Sequence, residues 1–463
     1  MLPKTQRLLQ GSRDCRNGCA AVRLQFIVLL WRKQMTSMEA GGVIGRYLTK
    51  EQVEAFGAEL EALRKRVRAD LGERDAIYIR SILRLQKRLE IGGRLALQFN
   101  FYNPLIWLGG VGALTTSKML DLLELGHNVM HGQYDFTGIP EVRGKAYEWK
   151  SVSPSDLWRR HHNVFHHRNC NILGKDRDLG FGLIRVVEEQ PWHPVHLVSQ
   201  PVMIFLQAVA FEWSLVTFGL EIEKIREPGW WDAHKEGVKA TLRKALRNKG
   251  KEYVLLPLLA GPFAPGVLLG NLAANFLSHA WFHMLINCNH LPEGVHTFTE
   301  AECENESRAE WYVRQLLGSG NIEGGRLFHL LSGHVSMQIE HHLFPTLPGH
   351  RLEEVAPEVR ALCAKYGLPY NTGPFLRQYT SALKQIALRA FPNALTGSSP
   401  EATEPATVSG LKVRLPAFLR EELARRRKKP GTTPVDGRAD VIPMRTPQPP
   451  APPATAAAAA PAA

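Results

Sequence analysis

The chain predicts an all-α, integral membrane fold, and three observations lead there. Long stretches carry no charge, histidines recur in tight clusters at helical spacing, and net charge gathers at the two ends. The mean hydropathy of −0.19 is that of a soluble protein, but the average hides the distribution. Leu95 to Ser117 and Tyr253 to Pro292 contain no Asp, Glu, Lys or Arg, and Leu197 to Leu220 contains only Glu212. A bilayer span needs ~20 mostly apolar residues, a length the first stretch barely reaches and the other two exceed. The competing reading is a set of core helices in a soluble α protein. Gly, Pro and Asn interrupt the stretches, which spans tolerate only where protein or a cavity covers the freed backbone.

Charge divides the chain into three regions. Residues 1–91 carry 18 Lys or Arg against 10 Asp or Glu, and residues 394–463 carry 10 against 6, so the ends supply most of the net +13. Basic flanks stay on the cytoplasmic side of a membrane, facing anionic lipid. A nucleic-acid binder would instead set a basic face among aromatics on a compact domain, and nucleic acid is excluded as a partner. The expected organisation is a basic N-terminal region (1–91), a membrane domain (92–393) and a Pro/Ala-rich tail (394–463) with too little apolar content to bury a core. In the first region, Val22 to Trp31 is apolar but too short to span, and a translation start at Met35 or Met38 would remove it. Thr49 to Leu89 is charged and helix-favouring. Asn103-Pro104 breaks the first apolar stretch, leaving one span or a short hairpin.

The chemistry is concentrated in His127-Asn-Val-Met-His131, His162-Asn-Val-Phe-His166-His167 and Gln338-Ile-Glu-His341-His342. Imidazoles one helical turn apart share a face and can bind one ion. Imidazole suits iron, zinc and copper, and so many neutral ligands without thiolates argue against a structural zinc site. The six cysteines form no CxxC pair and no iron–sulfur spacing, so they read as reduced thiols. Seven clustered histidines exceed the needs of one four-coordinate ion, and two metals are the economical reading. Two irons that bind O2 and accept electrons can abstract hydrogen from an unactivated C–H bond. The clusters can serve one centre only if the chain crosses the bilayer an even number of times between the second and the third, and two long apolar segments lie there.

Other residues are weaker candidates. His290 ends the third apolar segment at the expected membrane face and is a further ligand. Gln338 and His283 are further ligands or orient the ligands. Asn163, Asp176 and Asp178 surround the second cluster, where a metal-bound imidazole gives its other N–H to an oxygen. His161 falls out of register, Glu340 takes no ligand role, and His279 should hydrogen-bond a neighbouring helix. Glu212 should snorkel or pair with a loop cation.

The same residues resemble a membrane fatty-acid desaturase of the three-histidine-box superfamily. Leu125-Gly-His-Asn-Val-Met-His-Gly-Gln133, His162 to His167 and Gln338-Ile-Glu-His-His-Leu-Phe-Pro345 match its boxes. Glu310-Trp-Tyr-Val-Arg-Gln-Leu-Leu-Gly-Ser319 and Gly367-Leu-Pro-Tyr-Asn-Thr-Gly-Pro374 resemble its actinobacterial acyl-CoA branch. The resemblance runs from about Asp75 to Pro392. It implies about four spans with a cytosolic helical cap, two iron ions held by His127, His131, His162, His166, His167, His290, His341 and His342, O2 as co-substrate, and a fatty acyl-CoA or lipid substrate. It further implies the bacterial inner membrane, with the site and both termini cytoplasmic. Asn289-His290-Leu291, His334 and Met337 depart from the branch, which usually has Gly-His-Phe, Asn, and His or Tyr there. No flavin, ferredoxin or cytochrome b5 pattern occurs, so electrons from NAD(P)H must come through a separate reductase or ferredoxin-type donor. A hydroxylase using the same centre is the alternative reaction, and a His-rich metal transporter the alternative class.

Overall fold

The computed structural model describes residues 42–180 and 184–396. The expectations for Val22 to Trp31, for Met35 or Met38, and for the tail beyond residue 396 fall outside them. Helices dominate, with two three-residue strands, Asn321–Glu323 and Thr372–Pro374, paired in parallel.

Two helical hairpins build one end of the molecule. Helix α1 (Lys50–Ala69) leads to α2 (Glu73–Gln98), which turns at Phe99–Asn103 into α3 (Pro104–Met119). The first apolar stretch is therefore a hairpin, and the expected region boundary at residue 91 lies inside α2. Pro104 opens α3 where its missing N–H costs nothing, and the Asn103 side chain caps Leu105 and Ile106. After the short helix α4 (Ser155–Arg159) comes α5 (His196–Gly219). Among the described residues α5 is the one helix long and apolar enough to cross a bilayer by composition. Non-helical angles at Ala210 kink it.

The third apolar stretch is not one helix, contrary to expectation. Its first residues, Lys251–Leu255 and Leu256–Leu259, prolong α6 (Trp230–Gly250), and a turn at Gly261–Phe263 reverses the chain into α7 (Ala264–His290). Pro257, Gly261 and Pro262 are why an apolar run of this length breaks. The tips of the two hairpins meet: Tyr102 Oη donates to the Pro262 carbonyl and Trp107 Nε1 to the Gly266 carbonyl at 2.8 Å. Gly93, Gly110 and Gly270 let these helices approach closely around Leu97 and Leu114. Around the tips large apolar side chains stand exposed, including Phe101, Leu105, Leu258, Leu259 and Leu269. Charges inside the bundle are paired: Glu252 meets Arg94 at 3.2 Å and Lys118 at 2.5 Å, and Glu212 meets Lys249.

The opposite end is a helical cap. There α8 (Arg308–Leu317), α9 (Gln338–Leu343) and α10 (Gly349–Tyr366) pack on α1 through Phe56, Leu60, Val313, Ile339 and Val355. Capping boxes at Thr49/Gln52 and Ser307/Glu310 start α1 and α8. Helix α11 (Phe375–Arg389) follows and packs against α7.

Candidate metal centre

Four elements bring the histidines together where the hairpins enter the cap. Past Met119, α3 widens into a π-helical turn, Leu120–His127, and carries His127 and His131. Past Arg159, α4 widens likewise over Arg160–His166 and carries the second cluster. Helix α9 supplies His341 and His342, and the last residue of α7 is His290. The π-turns correct the assumption of plain α spacing. In an α-helix, at roughly 100° per residue, His162 and His167 would point to different sides. Closing the turn i to i+5 aligns them, and their Nε2 atoms come within 3.3 Å.

Two sets of possible ligands result: His127, His131, His162 and His341, and His166, Cys170, His290 and His342. Within each set the ligand atoms lie within 4.8 Å of one another. His167 sits between them, its Nε2 3.2 Å from that of His341. His127 and His162 face each other at 3.1 Å, Nε2 to Nε2. The outward Nδ1 atoms meet oxygens: Asn128 Oδ1 for His127 (3.0 Å), Asp178 for His162 (3.1 Å), Asp176 for His166 (3.0 Å), the Gly318 carbonyl for His290 (2.9 Å) and Gln315 Oε1 for His342 (2.8 Å). With the Nδ1 protons held outward, Nε2 lone pairs face one another, an arrangement favourable only with cations between them. Nε2 of His131 and of His342 is buried without a partner. The donor set therefore fits metal ions.

Electrostatics agree. Burial and then the neighbouring imidazoles hold His131, His162, His167, His341 and His342 far below the usual histidine range, so they are neutral and able to bind metal. His166 differs: burial opposes its protonation too, but Asp176 and Asp178 more than offset it and raise that ring to about 9, so a metal bound there would displace a proton.

The remaining candidates separate cleanly. Asp176 and Asp178 orient rings as above, and Gln338 reaches His290 Nε2 at 3.0 Å. Asn163 instead donates to the Met130 carbonyl at 2.8 Å. His283 lies apart, its Nδ1 3.1 Å from the Asn287 amide and its ring edge-on to Tyr379. His161 packs against Phe218 away from the centre, and Glu340 accepts from Asn321 and Tyr370, both at 2.8 Å. His279 bonds the Val209 carbonyl of α5 at 3.0 Å.

Sequence reasoning missed Asn128, Gln315, Gly318 and Cys170. Gln315 and Gly318 lie in the Glu310–Ser319 stretch, whose family likeness was the only available signal. Cys170 Sγ is 3.7 Å from both His290 Nδ1 and the Gly318 carbonyl, on the ring atom turned toward the backbone. Sequence reasoning also missed a buried clasp behind the first cluster. His334 Nδ1 meets Glu124 at 2.9 Å and its Nε2 meets Glu353 at 3.3 Å, while Glu124 accepts from Asn128 at 3.3 Å and from Tyr78 at 2.8 Å.

An apolar chamber adjoins the centre. Ile184, Val186, Ile286, Leu291, Val335 and Ile386 line it together with His127, His162, His166 and His290 and with the polar Asp178, Gln207, Asn287, Asn289 and Gln338, around a small space of about 40 Å³. Imidazoles in this number, beside an apolar recess in a helical bundle with an exposed apolar end, fit an enzyme that could hold metal ions against a lipid-like substrate. Comparison makes the assignment specific. A family model described as fatty acid desaturase matches residues 103–374. The chain is 38% identical over 356 residues, 75% of its length and 82% of theirs, to the NADPH-dependent stearoyl-CoA 9-desaturases of two Mycobacterium tuberculosis strains, CDC 1551 / Oshkosh and H37Rv. It is also 38% identical over 122 residues, 26% of each chain, to fatty acid desaturase 3 of Bos taurus and of Homo sapiens. The chain belongs to the fatty acid desaturase family, and it is an enzyme that desaturates fatty acyl groups.

Proposed function

We propose that the eight imidazoles hold two iron ions and that the substrate is a long-chain acyl-CoA, stearoyl-CoA being the first compound to test because the mycobacterial relatives are named for it. The observation that carries this reading is the ring of inward Nε2 atoms beside the apolar chamber. Bound iron would supply O2 activation and the removal of hydrogen from an unactivated C–H bond. The chain's own residues do the rest. Asn128, Asp178, Asp176, the Gly318 carbonyl and Gln315 hold the outer N–H groups of His127, His162, His166, His290 and His342, so those five rings keep their tautomer and direction. The apolar walls would take the reacting methylenes and exclude water from them. The balance is –CH2–CH2– plus O2, two electrons and two protons, giving –CH=CH– and two waters. The electrons come from NADPH through a separate protein, in keeping with the relatives' description as NADPH-dependent.

The same proposal places the protein in the membrane with about four spans, α2, α3, α6 with its continuation, and α7. The two crossings between the second and third clusters then fall to α6 and α7 and not, as expected, to 197–220. Helix α5, apolar enough by composition but kinked at Ala210 and packed on α7, is not counted as a span. Helix α7 has 27 residues, about 40 Å at 1.5 Å per residue, against a hydrocarbon core of about 30 Å. The apolar tips would lie away from the cytoplasm, with the histidines on its side. Glu252 and its cations face one another rather than lipid, as charges at such depth must.

Mass spectrometry of acyl chains from a host expressing the full chain tests the reaction. Loss of two hydrogens that disappears in His341→Ala is the expected result. Gain of one oxygen would make the enzyme a hydroxylase, and unchanged chains would refute the substrate.

A further inference from the structure

A buried amide in the recess beside the metal centre meets no partner. Gln207 is 1% exposed on the inner face of α5 and lines the recess with His127, His162 and Leu291. Neither its Oε1 nor its Nε2 has a hydrogen-bond partner. Asn289 of α7 is equally buried, lines the same recess, and leaves its Oδ1 unpartnered. The neighbouring amides are engaged. Gln338 reaches His290 and accepts from Asn289 Nδ2 at 3.1 Å, and Asn287 donates to the His283 carbonyl at 2.7 Å. Gln200, two turns before Gln207 on the same face of α5, accepts from the Arg185 N–H at 3.0 Å and donates to the carbonyls of Arg185 at 2.6 Å and Ile386 at 3.1 Å. Gln200 thus ties α5 to its surroundings, and Gln207 does not. Its neighbours Phe205 and Leu206 lie on the exposed face, and the helix kinks at Ala210, three residues on.

A buried polar atom without a partner costs free energy, so such a group calls for a ligand that completes it. The three free atoms are one donor nitrogen and two acceptor oxygens. A hydroxyl-sized oxygen satisfies that set, because water or an alcohol both donates and accepts, and a methylene satisfies none of it. The space of about 40 Å³ exceeds the ~10–15 Å³ that one water requires.

We propose that Gln207 and Asn289 form a hydrogen-bonding subsite for a hydroxyl oxygen, filled by water until an acyl chain arrives, and that Gln207 thereby sets substrate preference. The subsite rests on the reading that the recess takes the acyl chain. A saturated chain lying along this wall strips the amides of water and gives nothing back. A chain with a hydroxyl group at that level replaces the hydrogen bonds of the water. The ligand class favoured here is therefore a long-chain hydroxyacyl thioester, and an all-methylene chain binds against a penalty.

The test measures equilibrium binding to the full-length, iron-loaded protein in detergent, with no reductant present so that nothing turns over. Labelled stearoyl-CoA is the probe, competed by hydroxystearoyl-CoA isomers that carry the hydroxyl at each mid-chain carbon in turn. In wild type, one isomer or two adjacent ones should bind about tenfold more tightly than the rest. In Q207L that preference should vanish, and stearoyl-CoA itself should bind about tenfold more tightly, since no amide at that position is stripped of water. Q207M serves if Q207L fails to fold, and the wild-type series needs no variant. A flat isomer series in wild type would overturn the subsite. So would a preference that persists in both variants, or stearoyl-CoA binding there no tighter than in wild type. Failure of stearoyl-CoA to bind wild type at all would overturn the acyl-CoA reading beneath it.

Discussion

Replacing His334 by alanine leaves the Glu124 carboxylate buried with no cation beside it. His334 is 3% exposed and Glu124 0%, and the imidazole bridges Glu124 at 2.9 Å and Glu353 at 3.3 Å. Burial alone would keep the ring neutral, but the two carboxylates outweigh it and raise the ring to about 9 from its ordinary 6.5. A displacement of that size corresponds to roughly 3 kcal/mol, and removing one member of a buried ion pair costs about 3–5 kcal/mol. The folded-state value is raised, so this contribution is complete below pH ~6.5 and is lost as pH climbs through ~9. At about 1 °C per kcal/mol for a chain of this size, His334→Ala should lower the melting temperature by roughly 3–5 °C at pH 6.5. By pH 10 the gap should shrink toward the worth of one neutral hydrogen bond, about 1 kcal/mol. His334→Asn should recover part of the loss without its pH dependence, because an amide can donate to Glu124 and Asn tolerates the φ of +60° found here. The measurement is thermal unfolding of detergent-solubilised protein at equal iron content across that pH range. A gap under 2 °C at pH 6.5, or one that does not narrow as pH rises, would refute the clasp.

Two further outcomes are expected. Asp176→Asn should lower iron affinity about 10- to 100-fold while the fold survives, read by metal content after dialysis against a graded chelator, because Asp176 accepts the His166 Nδ1 proton at 3.0 Å, nearer than Asp178 Oδ2 at 3.5 Å. Gly333→Ala should give little folded protein, since a Cβ there would sit 2.5 Å from Leu123 Cβ and 2.6 Å from the Leu123 carbonyl carbon on backbone that also holds a φ of +61°; a yield and melting temperature equal to wild type would contradict this.

The histidine spacing alone singled out side chains that the helices do bring together. His127 and His131 at i, i+4, His162, His166 and His167 at i, i+4, i+5, and the adjacent His341 and His342 carry a local signal, and His290 was suspected from its place at the end of an apolar run. The uncharged stretches likewise announced a helical protein with an apolar end. Helix boundaries were less legible. Tyr253 to Pro292 lacks charge throughout, so hydropathy could not separate the end of one helix from the start of the next, and the reversal is marked only by Pro257, Gly261 and Pro262. Asn103-Pro104 allowed a span or a hairpin equally, and contact between the two tips decided for the hairpin. The partners of the rings were less legible still. Asp176 and Asp178 lie ten and sixteen residues from the imidazoles they meet and were suspected by proximity. Gln315, Gly318 and His334 approach from elements far along the chain. Local sequence determines which side chains share a helix face, because that depends on spacing over one or two turns. Which oxygen meets the outer N–H of a ring depends on how separate helices pack, and only the tertiary structure decided it.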